Sequence, residues 1–470
     1  MLKPNDGTGQ TTQGATVSSW TDASPSGNNA TAVNSPAFQA TGTGVVNYNP
    51  SVSFNGTSQY FNLPTGFSDF TNGASSFVVR KKNGTNTSNG RFLNLSTGGN
   101  NNALAFERSL LTDNVNVSVF NSSGTSLSSI SSANTPLANV YPDIMGFSLQ
   151  GGTALQTNRA FKYFYNGGVN LSTTTGVVPN TVSRTVNRFG AGGSATEWMN
   201  GYIPEMILYN AQLSDLQIQK VNTYLALKYG LSSLSNYVTP AYDGTSNIVL
   251  ETLYDSSSYG NRIFGVGVDL TGCLVQNQSK NQEGGLMAIS VDGVINTLNS
   301  ADVTKWTKDR SYIVMGDDNN SITSFVRAGS AGNQPLPAIY SGCLIDRVNR
   351  NWKTQVKGET APSIFISIPA NTSAETVKLP VLPNVGVLKS YEKQKVYLVI
   401  NENSNFTINA NMQEVELVYN PSTLAYEATF NTNPNQLANY TFYYTIVTRV
   451  TPCREGCLKS NKHVSTTVNQ

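Results

Sequence analysis

Short runs of alternating apolar and polar residues, separated by clusters of turn-forming residues, dominate positions 1–210. Ser51–Phe54 alternates in this way and stops at Asn55-Gly56, a strong hairpin signal. Phe161–Tyr165 repeats the pattern and ends at the turn Asn166-Gly167-Gly168. Many short strands bounded by Gly, Asn, Ser and Pro are typical of a sandwich or barrel. This part of the chain is therefore predicted to be all-β.

One helix interrupts the strand pattern. Ser214 is a suitable N-cap, and Gln217, three residues later, completes a capping box. Apolar residues follow at helical spacing, and Gly230 provides a left-handed stop. We expect a helix over about 214–229 whose apolar side docks on the sandwich or between two domains.

Strand patterns resume after a connector rich in Ser, Asn and Tyr at 231–250. Thr441–Ile446 consists of β-branched and aromatic residues, which predicts a central strand. With 470 residues, the chain is too long for one small core. We predict a first sandwich over 1–232, a second all-β domain over 233–450, and a C-terminal tail or linker over 451–470.

The surface is predicted to be polar but weakly charged. Charged residues make up 12% of the chain, about half the share typical of soluble domains, and the net charge is +2. Lys and Arg are scattered and form no basic stripe for nucleic acid. No apolar run reaches the roughly 18 residues that span a bilayer. We therefore expect neither a nucleic-acid partner nor a transmembrane segment.

A single histidine, His463, narrows the available chemistry. Catalysis by Ser-His-Asp or Cys-His groups needs a histidine beside the nucleophile, and His463 lies in a polar tail. Glycosidases that use a carboxylate pair need no histidine, so a glycoside hydrolase remains an alternative. Glu414 and Glu416 form one same-face pair, for which two exposed strand positions are the simpler interpretation. We predict that the chain is not an enzyme and assign no catalytic residue.

Three blocks of the first half share a pattern with one known family: Trp20–Thr31, Phe54–Phe61 and Asn200–Gly230. They resemble the LamG-like, concanavalin A-like lectin/glucanase domains of Bacteroidota surface proteins. Three segments after about 235 follow: Asn261–Asp269, Gln276–Lys280 and Arg350–Lys353. They are similar to the domain of unknown function that often follows this module, although Leu270 stands where an acidic residue is usual. The resemblance implies a concanavalin A-like jelly-roll sandwich with one capping helix and a second β-sandwich-like domain.

The resemblance also implies a location and a role. Proteins of this kind are secreted by the type IX route and act at the cell surface in adhesion or carbohydrate contact. No signal-peptide pattern opens the chain, so a removed leader, a fragment boundary or a virion component stay open. The family has no universal catalytic residue to carry over, and the oligomeric state stays unknown.

A sugar site needs an aromatic platform with a few polar groups that fix orientation. Trp198, between Glu197 and Asn200 and close to a Gly-rich stretch, is the best loop aromatic. These three residues are the predicted ligand contacts, and packing at a strand entrance is the alternative for Trp198. Trp20 and Trp352 are instead predicted to lie in the cores.

The sequence establishes no cofactor, and a structural calcium ion is the main candidate. Gly316-Asp317-Asp318-Asn319-Asn320 is the densest cluster of oxygen ligands, and Asp317, Asp318 and Asn319 are the candidates. An Asx-rich turn is the alternative. Asp22 with Asn28 and Asn29 is a second candidate, for which loop-ordering hydrogen bonds are the alternative.

Four cysteines leave their pairing open. Cys453 and Cys457 are spaced for a local disulfide, while free thiols and a zinc site with His463 are alternatives. Cys273 and Cys343 could also pair with each other.

Four functions stay open at this point. The first is a binding or adhesion module that contacts glycans or cell-surface ligands. The others are a glycoside hydrolase, a phage fibre or spike with a lectin-like domain, and a structural spacer.

Overall fold

The computed structural model describes residues 1–83, 90–108, 114–132, 141–242, 248–322, 325–327, 345–358, 363–369, 393–404, 406, 412–431 and 439–451. The chain divides into two compact units. Unit 1 comprises Met1–Thr252 with Asn296–Asn299, and unit 2 comprises Leu253–Ile295 with Ser300–Gln470. The boundary predicted at 232/233 lies on the N-terminal side of this division.

Two antiparallel sheets form the body of unit 1 within the described ranges. Sheet 1 contains, in spatial order, β1 (Ser19–Trp20), β2 (Ala30–Val33), β5 (Tyr60–Asn62), β14 (Val186–Phe189), β7 (Gly90–Ser96), β8 (Leu104–Arg108), β9 (Val115–Phe120) and β10 (Ser126–Ser131). Sheet 2 contains β13 (Gly168–Gly176), β12 (Arg159–Tyr165), β11 (Asp143–Leu149), β6 (Ala74–Lys82), β15 (Asn200–Tyr209), β4 (Ser51–Asn55) and β3 (Ala37–Gln39).

The two sheets of unit 1 enclose an aromatic core. Trp20 is fully buried, and its ring packs edge-to-face 5.6 Å from Phe61 and 5.7 Å from Phe189. Phe54, on the other sheet, packs 5.5 Å from Phe189. Such pairs add about 0.5–1.5 kcal/mol each beyond the area they bury. The prediction that Trp20 lies in the core is confirmed.

The hairpin prediction at Asn55-Gly56 is wrong. β4 pairs with β3 and β15 in sheet 2, whereas β5, which follows the turn, pairs with β2 and β14 in sheet 1. The Asn55 side chain organises this connection, because its Oδ1 accepts from the backbone N–H groups of Thr57, Ser58 and Gln59. The turn therefore crosses from one sheet of the sandwich to the other.

The helix prediction is confirmed. Helix α2 spans Asp215–Tyr229, and the short helix α1 spans Pro4–Gly7. Both bonds of the capping box join Ser214 and Gln217, and Gly230 ends α2 in the left-handed conformation at φ 61°. Tyr229 Oη donates to Pro204 O (3.2 Å) on β15, so the helix caps the outer side of sheet 2. Next to α2, β16 (Tyr237–Tyr242) pairs with β17 (Ile248–Tyr254).

Unit 2 contains one continuous antiparallel sheet in the described part of the chain. Its spatial order is β19 (Leu274–Gln276), β18 (Asn261–Asp269), β22 (Ser311–Asp317), β25 (Trp352–Lys357), β30 (Asn439–Thr451), β27 (Lys393–Asn401), β28 (Gln413–Asn420), β29 (Ala425–Asn431), β26 (Ser363–Pro369), β21 (Ala288–Ser290) and β20 (Gln278–Lys280). A side branch joins β23 (Phe325–Arg327) to β24 (Ile345–Val348), which pairs with β30.

The core of unit 2 gathers on one side of this sheet. Trp352, which is 2% exposed, packs there with Phe442, Tyr444 and Ile446 from β30. β30 lies between β25 and β27, so the predicted central strand is confirmed, as is the core position of Trp352. The chain thus has the predicted all-β class, with a jelly-roll-like sandwich, one capping helix and a second β domain.

Candidate functional site

A β-bulge in sheet 1 places two charged side chains opposite each other. Leu93 on β7 pairs with Phe106 on β8, and both belong to the sandwich core. The register shifts between Arg91 and Leu93, which leaves Arg91 directly opposite Glu107. Bulges commonly re-aim side chains next to binding sites. Here the bulge turns Arg91 towards the side of sheet 1 that carries Asn94.

Arg91 is the centre of a network that we call the Arg91 cluster: Arg91, Asn94, Glu107 and Glu197. Its guanidinium donates from Nε to Glu107 Oε2 (2.7 Å) and from Nη1 to Asn94 Oδ1 (2.6 Å). Glu197 completes the network, with Oε1 3.3 Å from Nη2 and Oε2 3.0 Å from Nε. The Arg91 side chain is only 2% exposed. A buried guanidinium therefore fixes two carboxylates and one amide in place.

Glycines allow Glu197 to reach Arg91. A Cβ atom at Gly192 would lie 2.1 Å from Glu197 Oε2, and one at Gly193 would lie 2.0 Å from Gly99 O. Glu197 itself has a left-handed backbone at φ 58°, and its carbonyl accepts from the N–H of Arg91 (2.9 Å). Strained positions of this kind cluster at functional sites. The Gly-rich stretch therefore serves to close the loop over β7.

The three predicted ligand contacts occupy different positions around this loop. Glu197 belongs to the Arg91 cluster, and its side chain is 30% exposed. Trp198 is half-buried, and its indole N–H is buried with no hydrogen-bond acceptor among the described residues. Asn200 begins β15 and lies against Gly56, where an added Cβ would be 2.8 Å from Asn200 Cβ. The structure thus joins Glu197 to the cluster and places Asn200 at the crossing between sheets.

A second arginine extends the polar surface across sheet 1. Arg188 on β14 is in register with Asn94 on β7 and with Asn62 on β5. Its Nη1 donates to Gly192 O (2.7 Å), and its guanidinium lies 4.9 Å from the centre of the Tyr60 ring. The Arg91 cluster, Arg188 and Tyr60 therefore form one row of polar and aromatic groups over adjacent strands.

The charges in this row balance, with two arginines facing two glutamates. Burial raises the pKa of Glu197, the charge of Glu107 raises it further, and the Arg91 guanidinium opposes both effects. Both carboxylates stay within 3.0 Å of the same Arg91 Nε atom. The region between them is therefore occupied by the guanidinium of Arg91.

Arg91, Asn94, Glu107 and Arg188 were missed by sequence reasoning. The one signal in the sequence was Arg91 at the start of the run Arg91–Leu95, whose apolar residues are otherwise typical of a buried strand. A charge is almost never buried without a partner, so this position calls for an acidic partner elsewhere in the chain. The sequence alone does not say that the partners lie 16 and 106 residues away.

The predicted calcium ligands in unit 2 bind protein donors. Arg262 holds the buried Asp317 carboxylate with Nε 2.7 Å from Oδ2 and Nη2 2.5 Å from Oδ1, and its Nη1 donates to Asn319 Oδ1 (3.0 Å). Asp318 accepts from the side-chain amides of Asn351 and Asn320, each at 3.0 Å. These contacts support the Asx-turn alternative, and calcium at this position stays a prediction.

The second candidate for calcium, around Asp22, likewise accepts hydrogen bonds from protein donors. Asp22 Oδ2 accepts from Ser24 Oγ (2.8 Å) and from the N–H of Asn28 (3.0 Å), while Asn29 Oδ1 accepts from the N–H of Asp22 (2.9 Å). In the described part of the chain, no three His, Cys, Asp or Glu side chains are grouped closely enough to hold a metal ion.

Of the cysteines, only Cys273 lies within the described residues, where it is exposed and unpaired. The disulfide prediction for Cys453 and Cys457 concerns residues outside the described ranges, as do the alternatives that involve Cys343 and His463. Among the helices that the structure describes, none is long and apolar enough to cross a membrane.

Comparison with known families finds one match. A family described as a domain of unknown function (DUF8202) is similar to residues 217–436, which is less than half of the chain. No curated protein matches the sequence.

Three solved structures are similar to this chain, two over about a third of its length or slightly more and one over most of it. The sialidase carbohydrate-binding module CBM40 of Ruminococcus gnavus, bound to α2,3-sialyllactose, is 13% identical and covers 34% of this chain and 94% of its own, with a TM-score of 0.25. Domain 4 of the arabinanase AbnA of Geobacillus stearothermophilus, in complex with arabinotriose, is 17% identical. The match covers 40% of this chain and 80% of that domain, with a TM-score of 0.29. The receptor-binding domain of botulinum neurotoxin C/D mosaic serotype is 11% identical. The match covers 95% of this chain and 96% of that domain, with a TM-score of 0.32. No function is transferred from scores of this size.

Proposed function

We propose that the chain is a non-catalytic binding module that contacts glycans through the Arg91 cluster and the neighbouring Arg188 and Tyr60. The observation that carries this proposal is the rigid set of acceptors around the buried Arg91 guanidinium. Sugar hydroxyls bind to oriented carboxylate and amide oxygens, and their C–H faces stack on aromatic rings. A preorganised set of acceptors lowers the entropy lost on binding.

The two partly exposed glutamates, Glu197 and Glu107, form the accessible face of the cluster. Glu197 is 30% exposed and Glu107 is 16% exposed, whereas Arg91 lies beneath them at 2%. A ligand therefore meets carboxylate oxygens first. Because both acids are already bound to Arg91, they are held in one orientation without a ligand.

A glycoside hydrolase is the second candidate, and the Glu107–Glu197 pair is the observation that favours it. Burial raises the pKa of Glu197, as a general acid requires. A hydrolase must also hold the glycosidic bond between its two carboxyl groups. Arg91 occupies that region here, which favours binding without turnover.

The three sequence blocks and the sandwich with its capping helix support kinship with LamG-like, concanavalin A-like modules. On that basis we infer an extracellular, cell-surface role in adhesion for this protein. Fractionation of the native host, with antibody detection on intact cells, tests the location. Recovery of the protein only from the cell interior would contradict it.

A glycan array probed with the full chain tests the binding proposal. Glu107→Gln/Glu197→Gln keeps the shape of both side chains but removes both charges next to Arg91. We expect it to lose a set of array signals that the wild type gives. The matched control is Glu414→Gln/Glu416→Gln on β28, which should keep them. An unchanged array pattern for the first variant would refute the proposal.

Two further measurements on the same array separate binding from hydrolysis and from calcium-dependent binding. Reducing ends released from the positive glycans would indicate hydrolysis, and we expect none above a no-protein control. Chelation of calcium during the array should leave the signals at the Arg91 cluster intact, because the Arg91 guanidinium already holds both carboxylates in place.

A further inference from the structure

Unit 2 carries a pair of half-buried tyrosines on the side of its sheet opposite the main core. Tyr259 precedes β18 and Tyr443 lies on β30, and their ring centres are 5.5 Å apart at an angle of 54°. Tyr443 also packs on a small apolar cluster that includes Phe406 and Val447. Two tilted rings of this kind form a shallow aromatic corner.

A buried arginine with a spare donor lies beside this corner. Arg347 is 4% exposed, and its Nε donates to Thr445 Oγ1 (3.0 Å), two residues beyond Tyr443. Its Nη2 donates to Asn351 Oδ1, but its buried Nη1 has no partner among the described residues. Leaving a buried donor unpaired is unfavourable. An oxygen atom from a bound molecule would satisfy it.

The charges around the corner are balanced. Lys353 Nζ lies 3.0 Å from Asp255 Oδ2, and the Asp255 side chain is 55% exposed. Burial lowers the pKa of Arg347, whereas Asp318 and Tyr259 oppose this shift, which places both groups close to the guanidinium. Among the described residues, two acids thus face two bases, which suits a neutral ligand.

We propose that Tyr259, Tyr443 and Arg347 form a second saccharide site, in unit 2, that takes a neutral sugar ring. The C–H face of a pyranose stacks on the tyrosine corner, a ring hydroxyl accepts from Arg347 Nη1, and the exposed Asp255 carboxylate accepts from another hydroxyl. This site does not depend on the Arg91 cluster, because all of its residues belong to unit 2.

The chain supplies a close control for this pair. Tyr419 and Tyr426, on β28 and β29, have ring centres 5.3 Å apart at 56°, and Tyr419 is 43% exposed. The two pairs therefore share ring geometry. Arg347 acts electrostatically on Tyr259, and Asp255 acts on Tyr443, so an arginine and a carboxylate accompany the Tyr259–Tyr443 pair.

Saturation-transfer NMR on the full chain tests the proposal, with methyl glycosides of glucose, galactose, mannose and N-acetylglucosamine as probes. We expect at least one glycoside to bind, and Tyr259→Ala/Tyr443→Ala to weaken that binding about tenfold. Tyr419→Ala/Tyr426→Ala should leave it within about twofold. The same comparison is repeated in the Glu107→Gln/Glu197→Gln background, in which the Arg91 cluster no longer contributes to sugar binding. Arg347→Lys, which keeps the charge but removes the spare donor, should weaken it as well. Circular dichroism confirms that each variant is folded.

Several outcomes would overturn this site. They are the absence of any signal from the neutral glycosides, and binding that the Tyr259→Ala/Tyr443→Ala variant leaves unchanged. Loss of all glycoside binding in Glu107→Gln/Glu197→Gln alone would assign the ligand to unit 1 instead. Failure of the unit 2 site is therefore distinguishable from failure of the Arg91 cluster.

Discussion

Glu205 on β15 and Lys228 on α2 form a buried ion pair, with Lys228 Nζ 2.8 Å from Glu205 Oε2; the Lys228 side chain is 8% exposed and the Glu205 side chain 0%. Tyr229 Oη and Tyr224 Oη donate to the same carboxylate at 2.7 and 2.9 Å. The helix predicted from its capping box is thus attached to sheet 2 by charge as well as by apolar contact. Removal of one partner leaves the other charge buried.

Lys228→Met should lower the free energy of unfolding by about 3 kcal/mol, because Glu205 then loses its counter-ion while buried. Urea denaturation measures the change. Lys162→Met is the control, since Lys162 pairs with Asp215, whose side chain is 71% exposed, and its loss should cost under about 1 kcal/mol. Glu205→Gln/Lys228→Met should recover part of the loss. Simple additivity of the two single changes would show that the pair is not coupled.

Glu197→Gln should change how stability depends on pH. Burial raises the pKa of Glu197 above its ordinary value of 4.5, so in the window between the two values the folded state binds more protons than the unfolded state. Stability of the wild type therefore falls as pH rises through that window. The variant has no proton to release there. The free energy of unfolding of the variant minus that of the wild type should therefore increase with pH. Urea titrations of both proteins from pH 4 to about 7 measure this difference. A constant difference would show that the pKa is not raised.

Gly192→Ala should weaken glycan binding about tenfold, because its Cβ displaces Glu197 Oε2 from Arg91. Titration with a glycan from the array measures the effect. Gly272→Ala in unit 2 is the control, since its Cβ also meets a carboxylate oxygen, Asp269 Oδ2 at 2.9 Å. Equal binding by both variants would indicate that Glu197 takes no part in recognition.

Local turn chemistry predicted where strands end but not which strands pair. Asn166 and Gly167 have φ values of 42° and 82° and join β12 to β13 as neighbours, as a two-residue hairpin requires. Gly56 has a similar φ of 72°, yet its turn leads from sheet 2 to sheet 1. The difference lies in contacts made elsewhere, since β15 and β14 occupy the pairing edges of β4 and β5. Those strands are far away in the sequence.

The candidate site was predictable only where its residues lie in a loop. Glu197 and Trp198 follow a Gly-rich stretch that marks a tight connection, and this suggested ligand contacts. Arg91 and Glu107 lie inside strands whose apolar residues dominate the pattern. The bulge that turns Arg91 away from the core has no local signature in the sequence. Its position depends on how β7 and β8 pair.

Arg262→Met should lower the free energy of unfolding by about 3 kcal/mol, because Asp317, whose side chain is 3% exposed, loses both hydrogen bonds from the guanidinium. Arg350 does not replace it, since its Nε lies 4.0 Å from Asp317 Oδ1. If the Arg262 guanidinium occupies the position predicted for calcium, then adding calcium or a chelator should leave the melting temperature of the wild type unchanged. Thermal unfolding with each additive measures this. A calcium-dependent rise that Asp317→Asn abolishes would instead establish Asp317 as a metal ligand and show that Arg262 yields its place to the ion.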